Sequence, residues 1–339
     1  MKAAVYHGKR DLRVEEIHLR KLESNEVMIQ VKYCGVCGTD MHIFNGEGGA
    51  FAVNPPLIPG HEFSGIVHEV GSEVRNIKVG QHVSADPNDM CGECYFCRNA
   101  KQQFCTNNIG IGTTAHGGFA EYVILREKQV YPCSDKLSFI EAAMAEPLSC
   151  CLHGIDLCNI RLGDTVLILG GGPIGMIMLQ LARHAGASKI ILSEPIEEKR
   201  ALGLKLGADI VLDPYKEDFE KTLTSACHNI DIVVECIGNV NAQADAVRYA
   251  GKGATVMLFG LAAPDELLAI KPDDIFKKEL KITSSFINPY TFERAIKVLE
   301  AGILQFDALI TDIVDLDDIE KVFTEPQYKK SGKVMIKIS

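Results

Sequence analysis

From about residue 163 onward, short apolar runs alternate with helix-like stretches. TVLIL (165–169), KIILS (189–193), DIVL (209–212), DIVVECIG (231–238) and ATVMLFG (254–260) read as buried strands, because a strand covered on both faces is a near-continuous apolar run. Residues 174–184, 197–206, 216–226 and 241–249 predict helices between them, the first closed by Gly186. Strand and helix in alternation predict a parallel sheet covered by helices, an α/β domain. The first half reads differently. EVMIQVKY (26–33), FSGIVHEVG (63–71) and FAEYVIL (119–125) are short β-like runs set off by turn signals, which suits an antiparallel, barrel-like domain. After residue 285 the chain offers one helix, 291–300, and strand candidates near Ile310 and Val334. A tail of that size makes no core alone, so it is expected to return to the first domain.

Residues 165–182 contain no charge and approach the length of a membrane span, but Gly170, Gly171, Gly172, Pro173 and Gly175 break them. Glycine and proline oppose a helix interior, so a strand, a turn and a new helix fit better. With 339 residues the chain exceeds the usual single core, and two domains are expected. A formal charge of −10 without a basic patch argues against a nucleic-acid surface. The N-terminal residues lack the apolar stretch of a secretory signal, which points to the cytoplasm.

Gly170-x-Gly172-x-x-Gly175 directly follows the strand 165–169 and opens the next helix through Pro173 and Ile174. In that context the first glycine permits the tight turn, the second lets backbone approach a pyrophosphate, and the third lets helix and strand pack closely. The helix N-terminus offers N–H groups to phosphates. Nineteen residues after Gly175, Glu194 ends the strand 189–193, where a carboxylate accepts ribose hydroxyls and repels a 2′-phosphate. NAD is therefore favoured over NADP, although Lys199 and Arg200 stand close by. The cofactor-binding set is Gly170, Gly172, Pro173, Ile174, Gly175, Glu194 and Lys199.

Twelve cysteines raise the question of disulfides or metal. Cys91, Cys94, Cys97 and Cys105 are spaced C-x2-C-x2-C-x7-C, so one loop offers four thiolates to one tetrahedral ion. Four sulfur ligands leave no open position, which makes this a structural zinc site rather than a catalytic one. A second set of metal-type residues is scattered: Cys37 in CGVCGTDMH, His61 and Glu62 in PGHEFSG, and Glu146 in AEPLS. Cys, His and carboxylate are zinc ligands, and three of them plus water describe an open, catalytic site. Cys34 and Cys37 also spell the C-x-x-C of thiol redox motifs, but such a motif belongs at the strand-to-helix turn of a small βαβ domain, whereas here it precedes the Gly60-His61-Glu62 run. Cys133, Cys150, Cys151, Cys158, Cys227 and Cys236 read as small core residues.

Taken together, these motifs resemble the zinc-dependent medium-chain dehydrogenase/reductase family over essentially the whole length. The signature G-H-E-x2-G-x5-G stands as Gly60, His61, Glu62, Gly65 and Gly71, beside the four-cysteine lobe and the glycine motif in the family's order. The resemblance implies a GroES-like barrel-type catalytic domain (1–148 and 286–339, with the zinc lobe at about 88–108) and a Rossmann NAD-binding domain (149–285). It implies two zinc ions per chain, the catalytic one held by Cys37, His61 and a carboxylate in a cleft between the domains. That carboxylate is Glu146, in the E-P-L setting of sorbitol-type polyol dehydrogenases, or Glu62, directly or through water. Thr39 stands where the family begins proton removal, and His42 is the relay to solvent.

The expected reaction is NAD-linked oxidation of a secondary alcohol of a polyol to a ketone. CGTDMH also resembles the threonine dehydrogenases, and a 2,3-butanediol dehydrogenase is a further alternative. The zinc-free reductases and binding proteins of the superfamily lack residues that this chain keeps. Phe44, Phe51 and Phe286 are candidates for the pocket or the core, His153 for the domain junction, and the family resemblance suggests a homotetramer or homodimer.

Overall fold

The structure is a computed structural model that describes residues 1–47, 52–330 and 332–339, the side chains of 329 and 330 apart. It forms two compact units, Met1–Ser149 with Pro289–Ser339, and Cys150–Asn288. The division falls inside the helix Ala145–Cys158.

The second unit is built on six parallel strands in the order Ile210–Leu212, Lys189–Ser193, Thr165–Leu169, Ile232–Glu235, Thr255–Leu258 and Lys281–Ser284. The order reverses between Thr165–Leu169 and Ile232–Glu235, which is the doubly wound arrangement. Val166, Leu167, Ile168, Ile190, Ile191, Leu192, Val233 and Val234 are fully buried, the physical reason these strands read as apolar runs. The helix Pro173–Ala185 stops where Gly186 takes a left-handed φ of 117°, a conformation that costs a residue without Cβ nothing. The sixth strand, Lys281–Ser284, was not among the predicted ones. It lies at the sheet edge with only its central residues partly covered, so it lacks the apolar run that marks its neighbours.

In the first unit, the strands Ile310–Asp315, Lys333–Lys337, Glu26–Gly35, Glu62–Val70, His82–Ala85 and Val130–Pro132 follow one another in a sheet, and Tyr122–Arg126 also pairs with Glu26–Gly35. All pairings are antiparallel except that of Ile310–Asp315 with Lys333–Lys337. Val27, Ile29 and Val31 alternate along one face of the central strand and are fully buried with Phe63, Val83 and Phe119. The C-terminal segment joins this sheet: Met335 stands opposite Gly35 and Ile336 opposite Cys34. The expectation of one helix after residue 285 needs correction, because Ile319–Thr324 forms a second beside Phe292–Glu300. Six residues are too few to display a helical period, yet Phe323 seats on Phe44 with ring centroids 5.1 Å apart. Phe44 is therefore a core residue, whereas Phe51 lies outside the described residues. Among the described residues no helix is long and apolar enough to cross a membrane.

Candidate functional site

Cys37 ends the loop after Glu26–Gly35 and caps the helix Gly38–Phe44. Asp40, the third residue of that helix, closes the cap by accepting from the Cys37 backbone N–H at 2.9 Å. Its other oxygen accepts from the Gly60 N–H at 3.3 Å and stands 3.6 Å from His61 Nδ1. One buried carboxylate thus ties the turn that carries Cys37 to the turn that carries His61 and Glu62. It occupies the outer position from which a carboxylate orients a metal-bound imidazole.

The donor atoms of Cys37, His61 and Glu62 lie within 4.8 Å of one another, with His61 and Glu62 buried and Cys37 partly so. Buried polar groups are ordinarily hydrogen-bonded, but His61 Nδ1 has no hydrogen-bond partner. A sulfur, an imidazole and a carboxylate gathered around one point form the donor set of a zinc ion, so the residues fit the metal. Burial works against a charged His61, but the Asp40 carboxylate and Cys37 more than offset it and raise the imidazole well above its usual range. That is the electrostatic signature of a place that favours a cation.

Two neighbours complete the cluster. Lys333 is buried, forms an ion pair with Glu62 and donates to Val36 O at 3.0 Å. Burial disfavours its ammonium, yet Glu62, Cys37 and Glu146 outweigh that and hold it above the ordinary lysine value. Glu146, at the start of Ala145–Cys158, is 8% exposed and stands outside the group whose donors meet. Thr39 is the second residue of Gly38–Phe44, so the N-cap is Cys37 and not Thr39. His42, on the same helix, holds Glu47 Oε2 at 2.7 Å from Nδ1, both side chains reaching solvent.

Sequence reasoning passed over Asp40, Lys333 and Glu47. For Asp40 a signal existed, an acidic residue three positions after a capping residue. Lys333 has no local signal, since its partners lie at the other end of the chain.

Cys91, Cys94, Cys97 and Cys105 also converge, their sulfurs within 4.8 Å of one another. Cys91 and Cys105 sulfurs stand 3.4 Å apart and Cys91 and Cys97 4.0 Å, too far for disulfides. Backbone N–H groups of Cys97 and Thr106 bring the Cys94 thiol down to about 6, while desolvation pushes Cys97 up to about 12. By contrast Cys34 is fully buried and its thiol is pushed well up by that burial, the opposite of a reactive redox cysteine. Of the six remaining cysteines Cys151 and Cys158 are buried, whereas Cys133, Cys150, Cys227 and Cys236 are only partly covered.

In the second unit, Gly170 turns the chain out of the Thr165–Leu169 strand at φ 98°. A Cβ on Gly175 would stand 1.9 Å from Gly170 O, so helix and turn touch there. A Cβ on Gly172 would meet nothing within 4 Å, which leaves open the space a pyrophosphate approaches. Pro173 and Ile174 start the helix behind Gly172, its N-cap. Glu194 is 5% exposed and accepts from the Gly171 N–H at 2.7 Å and the Ile196 N–H at 2.9 Å. Each carboxylate oxygen keeps a lone pair for a ribose hydroxyl. Arg200 donates to the carbonyls of Glu194 and Pro195 at 2.8 and 2.7 Å, and Lys199 lies partly covered on Glu197–Lys205. Gly175→Ala is expected to weaken NADH binding at least about tenfold in a fluorescence titration, since overpacking here displaces the turn itself. Unchanged affinity would mean that the turn does not hold the cofactor.

Comparison with known proteins agrees with this geometry. Residues 23–135 match the alcohol dehydrogenase GroES-like domain and residues 173–301 the zinc-binding dehydrogenase domain. The chain is 31% identical to D-arabinitol dehydrogenase 1 of Uromyces fabae, with 99% of this chain and 97% of the relative covered. It is 33% identical to an L-threonine 3-dehydrogenase of Bacillus velezensis, with 95% and 94% covered. Its fold superposes on a zinc-binding dehydrogenase of Sinorhizobium meliloti 1021, solved with NADP, at a TM-score of 0.94 and 36% identity, covering 99% of this chain and 98% of that one. The chain therefore belongs to the zinc-containing medium-chain alcohol dehydrogenase family, as a zinc-dependent, NAD(P)-linked alcohol or polyol dehydrogenase.

Proposed function

We propose that the chain oxidises a secondary hydroxyl of a polyol to the ketone and passes the hydride to NAD. The observation that carries this reading is the buried Cys37–His61–Glu62 group with the second carboxylate, Glu146, close enough for its charge to act on Lys333. The E-P-L setting of that glutamate and the likeness to an arabinitol dehydrogenase favour a polyol. Bound zinc supplies Lewis-acid polarisation of the substrate hydroxyl, and NAD supplies the hydride acceptor.

The chain's own residues do the rest. Cys37, His61 and either Glu62 or Glu146 hold the metal, and Asp40 fixes the first two in position. Lys333 pairs with Glu62 and offsets the charge that this carboxylate brings to the site, so Glu62 and Glu146 can exchange as the third donor. The Thr39 hydroxyl accepts the proton of the substrate hydroxyl as it gives up its own, which His42 with Glu47 passes on to solvent. Cys91, Cys94, Cys97 and Cys105 hold a structural zinc. Glu194 accepts the adenosine ribose hydroxyls and favours NAD, since a 2′-phosphate would face its charge.

One further reading has its own support: the Cys-Gly-Thr-Asp-Met-His run from Cys37 and the likeness to a threonine dehydrogenase favour L-threonine. The test is NADH absorbance with the zinc-loaded chain over pentitols, hexitols, 2,3-butanediol and L-threonine, each with NAD and NADP. The highest kcat/KM is expected for a polyol with NAD. A preference of tenfold or more for threonine or the diol would overturn the polyol reading, and a preference for NADP would overturn the role of Glu194.

A further inference from the structure

Glu235 is fully buried and has no part in the chemistry described above. It is the last residue of Ile232–Glu235, beside the point where the strand order reverses. In open sheets of this kind the dinucleotide lies across the carboxyl ends of the strands at that crevice. Two loops leave the sheet on this side, after Ile232–Glu235 and after Thr255–Leu258. Glu235 is bonded to both. Its Oε1 accepts from the Ile237 and Gly238 N–H groups at 2.6 and 2.7 Å, and its backbone oxygen accepts from the Phe259 and Gly260 N–H groups at 3.0 Å each.

The two loops are pressed together where Glu235 holds them. A Cβ on Gly260 would stand 2.2 Å from Gly238 N, and Gly238 itself takes a left-handed φ of 82°. The loop then carries Ile237 to the glycine turn: a Cβ on Gly170 would stand 2.8 Å from Ile237 Cγ1. Ile237 and Leu261, one from each loop, remain 51% and 60% exposed, an apolar pair at the rim. A buried carboxylate is costly unless its bonds require it, and burial does push this carboxyl up. The loop amides at the crevice, with the Gln243 side chain of the helix Val240–Tyr249, favour its charged form against that burial.

We propose that Glu235 is a positioning residue for the dinucleotide: its carboxylate fixes the Ile237–Gly238 turn, which its backbone oxygen sets against the Phe259–Gly260 turn, so that Ile237 and Leu261 form a fixed wall of the cofactor site. The proposal rests on the dinucleotide reading of the Gly170–Gly175 turn and adds a residue outside that motif. Aspartate at this position withdraws the acceptor by one methylene, whereas glutamine keeps an oxygen in place.

The test is NADH titration by fluorescence and steady-state kinetics on the zinc-loaded enzyme. Glu235→Asp is expected to raise the NADH Kd and the NAD KM about tenfold, with zinc content, the alcohol KM and the thermal midpoint without cofactor near those of the unsubstituted protein. Glu235→Gln recovers most of the lost affinity. Hydrogen exchange on the unsubstituted protein supplies a readout that no folding defect affects, and NADH is expected to slow exchange at the Ile237, Gly238 and Gly260 amides. An unchanged Kd in Glu235→Asp, or equal losses of zinc, midpoint and affinity, overturns the positioning role, as does exchange at those amides that NADH leaves unaltered. If the unsubstituted protein binds no NADH at all, the dinucleotide reading falls first and takes this proposal with it.

Discussion

Cys37→Ala is expected to lower kcat/KM by about four orders of magnitude while the protein stays folded and keeps its second zinc. A bound zinc contributes several kcal/mol of charge stabilisation, and each 1.36 kcal/mol is a factor of ten, so about 5 kcal/mol corresponds to about 10⁴. Alanine removes the sulfur and leaves one imidazole and one carboxylate, Glu62 or Glu146, too few ligands to hold the ion. The fold is expected to survive for a specific reason. The Asp40 carboxylate bonds to the backbone N–H of residue 37, so that half of the capping box of Gly38–Phe44 and the tie to Gly60 persist, and only the half made by the Cys37 sulfur is lost. Metal analysis, a thermal melt and NADH-absorbance kinetics together decide the matter, with zinc expected to fall from about two to about one per chain. Full activity in this variant would remove Cys37 from the site, and an equal loss of both zinc ions would show that the two centres are not independent.

How much of this was legible beforehand follows from the range over which each interaction acts. The strands Thr165–Leu169, Lys189–Ser193 and Ile232–Glu235 were legible because covering both faces of a parallel sheet demands consecutive apolar residues. Lys281–Ser284 was not, because a half-covered edge strand imposes no such run. The glycine turn was legible because three backbone demands fall within six residues, each met by glycine alone. Cys37, His61 and Glu62 were legible as donors through their residue types. The groups that set their charge and orientation were not: Lys333 meets Val36 across 297 positions of sequence, and nothing near Lys333 marks it as buried. Glu235 was equally hidden, inside the run 231–238 that reads as one buried strand, where nothing marks a carboxylate bonded to the amides that follow it.

Cys94→Ser is expected to act on the lobe and not on the reaction. Between Cys91 and Asn108 every residue is at least partly exposed, Tyr95 at 72% and Phe104 at 47%, so apolar burial supplies this segment with no core of its own. The helix Tyr95–Arg98 has a single turn and the strand pair Asn88–Asp89 with Ile109–Gly110 only two residues a side. Structures of that size do not persist alone, which leaves the four sulfurs as the means of holding them together. Metal affinity in such a site is folding free energy, so losing one thiolate is expected to cost the lobe several kcal/mol, on the order of a thousandfold in its local opening equilibrium. The base of the lobe remains anchored, because Asp89 pairs with Arg126 at 3.2 Å and Lys128 at 2.6 Å on the barrel side. The damage should therefore stop near residue 88. Trypsin is expected to cut at Arg98 and Lys101 at least about ten times faster than in the unsubstituted protein, with about one zinc retained and kcat per retained zinc within about twofold. Unchanged proteolysis would show that the lobe stands without its metal, and a collapse of kcat with the remaining zinc in place would show that the four-cysteine centre takes part in the chemical step.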